Sequence, residues 1–207
     1  MPGIDYPLWY TLKNNIVTIL KAIATEENLV DPGRNFEVEK DRWRPWVEAQ
    51  QNVPLVNVMV QTVGLNTDRS SNRRNVLDDV TINIDMYALG EGGDIMPVDE
   101  LAADRLDLLI AQVREGLTRL KQTDFGFTKD PDSGWPIDKE NTDYTLTYYD
   151  QENEQATGQY APARWMFIVQ LVFVPVDDNV YAALTELNVS VKDDTLEKYA
   201  LRFTYTP

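Results

Sequence analysis

The candidates for chemistry in this sequence are carboxylates, lysines, tyrosines and hydroxyl side chains, because the chain contains no histidine and no cysteine. Their absence excludes imidazole bases, Ser-His-Asp triads, thiolate nucleophiles, disulfides and nearly all zinc and haem sites. A glycosidase would need two converging carboxylates, and three pairs of adjacent aspartates are present: Asp78-Asp79, Asp177-Asp178 and Asp193-Asp194. Each pair lies at the end of a predicted element, where solvated acids are common, and 34 acidic residues produce such pairs by chance. We therefore predict no catalytic residue and no enzyme activity.

Two loops are similar to ligand-binding motifs but depart from them at required positions. Gly90–Gly93 lies between a predicted strand and a predicted helix, as a nucleotide-binding loop does, but Ile95 occupies the third glycine position. The acidic residues of that loop would also repel a phosphate. A calcium loop starting at Asp130 would need Asp or Asn in place of Gly134 and Gly in place of Trp135. We predict no metal and no cofactor.

Three arginines, Arg69, Arg73 and Arg74, lie close together in a polar connection between two predicted strands. They stand out because the chain has 34 acidic and 19 basic residues and a net charge of −15. One interpretation is a solvated hairpin tip. The other is a partner-binding finger that docks on an acidic protein, since the guanidinium group pairs well with carboxylates.

The strong negative charge also restricts the partners of the chain. A chain of this charge repels phosphate backbones, so sequence-specific DNA binding is not expected, although the protein could surround DNA without binding it. The N-terminus has no basic segment followed by an apolar core, and the apolar run Met166–Val176 is too short to span a bilayer. We expect a soluble protein that stays in the compartment where it is made and has no membrane partner.

Helical periodicity predicts two amphipathic helices. Apolar residues recur every three or four positions over Leu8–Ile23, and again over Asp99–Lys121. Asp99 is the predicted N-cap of the second helix. The side of the first helix that is predicted to face solvent carries Lys13, Asn14, Asn15 and Lys21.

Alternating apolar and polar residues predict an antiparallel pair of strands, Leu55–Leu65 and Val76–Ala88, joined by a long polar connection. Trp165–Val174 is apolar on both faces, which is typical of a strand in the sheet centre or of one covered by another subunit. Residues 123–162 are rich in polar residues, glycine and proline, and we predict a loop-rich insertion there, in which Tyr144–Tyr148 is the one segment patterned as a strand. Residues 177–207 are predicted to form a C-terminal strand extension.

These elements predict one α+β domain over residues 1–207, with two helices packed on one face of a mainly antiparallel sheet. In this respect the chain resembles the tail-terminator, or tail-completion, proteins of long-tailed bacteriophages. The resemblance covers roughly two-thirds of the chain and is architectural rather than motif-based. It rests on Leu8–Ile23, Leu55–Leu65, Val76–Ala88, Asp99–Lys121 and Arg164–Val174.

The resemblance implies a structural virion protein, made in the host cytoplasm, that forms a homo-oligomeric ring, a hexamer, at the head-proximal end of the tail. Such a ring contacts the tail tube protein on one side and the head–neck connector on the other, and DNA passes through it. Two alternatives remain open. One is another ring component of the same particle, such as a head–tail connector, a tail tube or a baseplate protein. The other, less favoured, is a carboxylate-based hydrolase.

The arginine-rich connection gives a first prediction. Replacing Arg69, Arg73 and Arg74 together with Ser should leave the melting temperature nearly unchanged, because the tip contributes little to any core. If the finger docks on an acidic partner, the same variant should assemble more weakly onto tails, and the loss should be larger at low salt. If the triple variant caps tubes as well as the parent at every ionic strength, the finger does not bind a partner, and the interpretation as a solvated hairpin tip is the correct one.

Overall fold

In the computed structural model of the chain, the described residues are 7–42, 53–66, 76–90, 97–129, 135–148, 160–173, 188–189 and 201–202. Two compact units are distinguished, Met1–Phe173 and Val174–Pro207, where the sequence predicted one domain with an extension from residue 177. The first unit contains all the long elements. These are α1 (Leu8–Val30), β1 (Glu37–Lys40), β2 (Leu55–Asn66), β3 (Val76–Leu89), α2 (Val98–Gln122), β4 (Ile137–Tyr148) and β5 (Tyr160–Phe173).

The five strands form one sheet in the order β1-β2-β3-β5-β4. Every neighbouring pair is antiparallel except β1 and β2, which run parallel. The predicted α+β class is confirmed. The pairing of β2 with β3 is antiparallel as expected, and β5 lies between two other strands, as its two apolar faces indicated.

The core lies on the face of the sheet that packs against the helices. Val80, Ile82, Ile84 and Met86 alternate along β3, and all four side chains are fully buried. Residues opposite each other across a ladder share a face, so Val58 of β2 and Phe167 of β5 lie on this face as well. The buried side chains of α1 and α2 belong to the same hydrophobic cluster. The apolar face of the strands, which repeats every two residues, therefore packs against the apolar faces of the helices, which repeat every 3.6 residues.

Both helices begin after a proline. Pro7 and Pro97 have extended ψ angles, 152° and 143°, and each precedes the first helical residue. Asp99 is therefore not the N-cap of α2, as predicted, but lies in the first turn together with Glu100. Carboxylates in the first turn still interact favourably with the helix dipole. Asp99 therefore marked the start of the helix, but the predicted N-cap was two residues too late.

The two helices approach closely at Gly116 of α2. A Cβ atom at this position would lie 2.8 Å from Leu20 Cδ2 of α1. Nearby, the buried Gln112 donates from Nε2 to Glu27 Oε2 at 3.2 Å and to the carbonyl oxygen of Arg34 at 3.0 Å. These contacts join α2 to α1 and to the short 3₁₀ turn Pro32–Arg34 that follows it.

The segment 123–162, predicted to be a loop-rich insertion, contributes to the core and to the sheet. Phe125 follows α2 and is fully buried, and Asn15 Nδ2 of α1 donates to its carbonyl oxygen at 2.9 Å. Strand β4 pairs with β5, and its first residue, Ile137, is 5% exposed. A loop-rich insertion is therefore the wrong description of residues 137–143, whereas the strand expected at Tyr144–Tyr148 is present as the second part of β4. The prediction failed because an edge strand with one wet face needs few apolar residues.

In the second unit the structure describes two short strands, β6 (Asn188–Val189) and β7 (Leu201–Arg202), which pair antiparallel. They lie within the C-terminal strand extension that the sequence predicted for residues 177–207. Neither α1 nor α2 is long and apolar enough to cross a membrane.

The burial of Phe125 gives a second prediction. Phe125→Ala should lower the free energy of unfolding by about 3–5 kcal/mol, the usual cost of removing a buried phenyl ring. Phe127→Ala should cost less, because Phe127 is only partly buried against the same cluster. Urea unfolding of both variants measures the difference. Equal losses would contradict the assignment of Phe125 to the core.

Candidate interaction surfaces

Arg69, Arg73 and Arg74 lie outside the described residues, so their prediction stays a prediction. The strands that lead to them are described. The ladder between β2 and β3 continues to the pair Asn66 and Leu77, with a register shift between Val60 and Thr62. The two strands therefore remain paired up to the ends of the arginine-containing connection.

The far end of β2 extends beyond the region that the helices cover. Val63 lies opposite Val80 in the ladder, yet Val63 is 45% exposed while Val80 is fully buried. The other residues from position 61 to 64 are also exposed. This part of β2 is held by its backbone ladder rather than by core packing, which makes it suitable for contacts with a partner.

The sheet face opposite the helices carries an ordered set of polar contacts. The buried carboxylate of Asp85 on β3 accepts two hydrogen bonds from Arg164 on β5, from Nε at 2.5 Å and from Nη2 at 3.1 Å. Fork-shaped pairing of this kind combines charge with fixed geometry. Asp79 Oδ1 accepts from Gln170 Nε2 at 3.0 Å between the same two strands.

The same face continues to the β1 side of the sheet. Asn57 on β2 binds the backbone of Arg42 reciprocally: its Oδ1 accepts from the Arg42 N–H at 3.1 Å, and its Nδ2 donates to the Arg42 carbonyl at 3.0 Å. Arg42 Nη1 donates to Glu39 Oε2 at 2.9 Å. Asn83 donates to Gln61 at 2.9 Å, while its buried Oδ1 finds no donor in the described part of the chain. The polar side chains of this face are therefore mostly engaged with one another.

The candidate catalytic pair Asp78-Asp79 does not converge. The two residues alternate on β3, with Asp78 opposite Leu171 and Asp79 opposite Gln170, so their side chains lie on opposite faces of the sheet. Burial, and secondarily the charge of Asp79, raises the pKa of Asp78 above its ordinary value. Asp177-Asp178 and Asp193-Asp194 lie outside the described residues.

The two loops with partial ligand motifs are described only at their ends. Gly90 closes β3, and a Cβ atom there would lie 1.9 Å from the carbonyl oxygen of Val98, so this glycine allows close backbone approach to α2. Residues 91–96 and 130–134 are outside the described residues, and of the calcium-loop positions only Trp135, which is 42% exposed, is described. Within the described ranges, no group of three or more acidic residues is arranged to hold a metal ion.

Lys13 was predicted on the solvent side of α1, and this was wrong. Its side chain is 5% exposed and forms an ion pair with Asp41, just after β1. The ammonium group also lies 5.9 Å from the ring centroid of Trp9 and 5.6 Å from that of Tyr10. Two aromatic residues three and four positions before a lysine were the signal available in the sequence, because such residues lie over one another on a helix.

No family model matches the chain, and no curated protein matches it either.

The raised pKa of Asp78 gives a third prediction. A carboxyl group whose pKa is higher in the folded state destabilises the fold where it is ionised, and this penalty disappears as pH falls below the pKa of the unfolded state. Asp78→Asn should therefore stabilise the protein near neutral pH, by about 0.5 kcal/mol or less, and should make no difference below about pH 4.

Asp79→Asn is the matched control for this prediction. It makes the same charge change but leaves the burial of Asp78, which is the larger cause of the shift, in place. The increase in the free energy of unfolding near neutral pH should therefore be smaller for Asp79→Asn than for Asp78→Asn. Urea unfolding of the three proteins across pH tests this, and an Asp78→Asn effect that does not vary with pH would contradict it.

Proposed function

We propose that this protein is a structural component of a long bacteriophage tail and acts as a tail terminator. In this function, a ring of six copies caps the head-proximal end of the tail tube and joins it to the neck of the filled head. The protein makes and breaks no covalent bond, and its mechanism is interface geometry. One ring face mimics a tube subunit, while the other offers no site for a further tube ring.

The observation that supports this proposal is the order and packing of the elements. Helix α1, the paired strands β2 and β3, helix α2 and strand β5 follow one another along the chain as they do in the architecture that the sequence resembles. The core is shared between both helices and the central strands. Fold likeness alone is a weak argument for function, so the charge of the chain is the second support.

The net charge of −15 suits a ring through which DNA passes. Six copies of the chain carry −90, and carboxylates that face a channel repel the phosphate backbone and keep DNA from sticking. The arginines at 69, 73 and 74 carry the opposite charge in one place, which suits docking on an acidic tube or neck protein. The proposed location is the tail and neck of the virion, after synthesis in the host cytoplasm.

A fourth prediction tests this function. Negative-stain images of the purified protein should show closed rings, and adding the protein to polymerising tail tube protein should stop tube growth and leave capped ends. Tube protein polymerised alone is the control for tube length. Open-ended filaments of this chain would instead indicate a tube component. Monomers that leave tube growth unchanged would contradict a terminator function.

A further inference from the structure

Three residues other than glycine have a left-handed backbone in the part of the chain that the structure describes. They are Asp41, with φ 55°, and the neighbours Asp124 and Phe125, with φ 53° and 56°. This conformation is unfavourable for a residue with a side chain because Cβ approaches the following carbonyl oxygen, and it is rare for a bulky residue such as phenylalanine. Strained backbone of this kind persists only where the surrounding structure holds it in place.

The first strained site, Asp41, comes directly after β1 and is held by Lys13 of α1. The two side chains form an ion pair, and the side chain of Lys13 is only 5% exposed. A buried ammonium group left without its carboxylate is strongly unfavourable, so this pair resists separation. On the backbone, the N–H of Asp41 donates to the carbonyl oxygen of Val58 at 3.0 Å. The N–H of Arg42 donates to Asn57 Oδ1 at 3.1 Å. The end of β1 is therefore fixed to α1 on one side and to β2 on the other.

The second strained site is the turn Asp124–Gly126, which lies between α2 and β4 in the chain. Asn15 of α1 holds this turn, because its Nδ2 donates to the carbonyl oxygen of Phe125 at 2.9 Å. Gly126 has φ 73°, so the turn contains three consecutive left-handed residues. A Cβ atom on Gly126 would lie 2.8 Å from Asn15 Nδ2, so the amide group of Asn15 lies directly against the turn.

We propose that the first half of α1 is a latch that holds both strained turns closed, and that displacing this part of the helix releases the two turns together. Lys13 and Asn15 belong to the same helix, so one cannot withdraw without the other. Residues two apart on a helix point in different directions, so α1 holds the two turns on different sides. The turns adjoin β1 and β4, which are the edge strands at opposite ends of the strand order. The latch therefore couples the two edges of the sheet through the helix.

Opposing contributions set the free energy of opening. Backbone strain in the two turns favours the open state, whereas the burial of Phe125 and the two contacts from α1 favour the closed state. If the second turn relaxes to an ordinary negative φ, the Phe125 side chain is aimed away from the core. A small net free energy of opening is typical of elements that switch between two arrangements. This inference concerns a single copy of the chain and does not depend on the proposed ring.

Hydrogen exchange of individual amide groups tests this inference. The N–H groups of Asp41 and Arg42 report on the first turn. Those of Gly126 and Phe127, which donate within the second turn at 2.9 and 3.1 Å, report on the second. In the parent chain all four should share one protection factor, because one opening exposes them. That protection factor should be lower than that of the amide groups of β3, which exchange only when the whole unit unfolds.

Two variants each remove one contact of the latch. Asn15→Ala and Lys13→Met should each speed exchange at all four amide groups by the same factor, about five or more, as expected for the loss of one hydrogen bond. Coupling is reciprocal, so each variant should affect the distant turn as strongly as its own. Asn14→Ala and Lys21→Met are the matched controls and should exchange like the parent, because Asn14 binds Lys40 and Lys21 is exposed. Thermal melting verifies that each variant is folded.

Three results would overturn the latch. In the first, the turns respond separately, with Lys13→Met acting only on the turn after β1 and Asn15→Ala only on the turn after α2. In the second, the turns of the parent are as well protected as β3, so they open only on global unfolding. This comparison needs no variant and remains decisive if a variant fails to fold. In the third, the control variants open the turns as much as Asn15→Ala does, so the effect comes from the stability of α1 in general.

Discussion

The strand that the rest of the first unit depends on is β3. It pairs with β5 along its whole length and with β2 over most of it, and its core-facing side chains have no solvent exposure. Both helices pack over this ladder, and the turn with Phe125 and the start of β4 join the same cluster. A close-packed core of this kind tolerates little change in volume. The positions of α1, α2 and β4 therefore follow from the register of the central ladder.

The ion pair between Asp85 and Arg164 has a specific effect on that register. Side chains alternate between the two faces of a strand, so a slip of one residue would move Asp85 into the apolar core. The carboxylate is 6% exposed and would lose its guanidinium partner there. Buried ion pairs contribute little net stability but penalise alternatives in which one partner is left alone. In this sheet the pair therefore acts mainly as a constraint on strand alignment.

Local periodicity explains which elements could be predicted. The helices and strands β2, β3 and β5 have strong apolar repeats, and the structure contains all of them. Strand β4 was predicted only over Tyr144–Tyr148, because its core side is formed by few residues, including Tyr144 and Leu146, within a polar segment. Tyr144 stacks on Phe167 at 5.6 Å between ring centroids, a contact that depends on pairing with a distant strand. The buried Lys13 was missed because its carboxylate partner, Asp41, is 28 residues away.

The candidate surfaces also differ in how well the local sequence predicts them. The arginines at 69, 73 and 74 could be selected from the sequence because their charge contrasts with that of the chain, whereas the two sheet edges could not. Which strand is at an edge depends on the strand order, and β5 lies between β3 and β4 although it follows both in the chain. Long-range order of this kind has no local signal in composition or spacing.

The contact at Gly90 has a consequence for how this fold tolerates change in length. The end of β3 and the start of α2 are in direct backbone contact, since a Cβ atom on Gly90 would overlap the carbonyl oxygen of Val98. The packing between β3 and α2 therefore holds both ends of the connection in place, whatever the length of the connection. Lengthening such a closed segment is inexpensive, about 0.6 kcal/mol for each doubling. A peptide or a small domain inserted after Gly90 would leave the sheet and α2 in place, so this connection is the natural position for a tag.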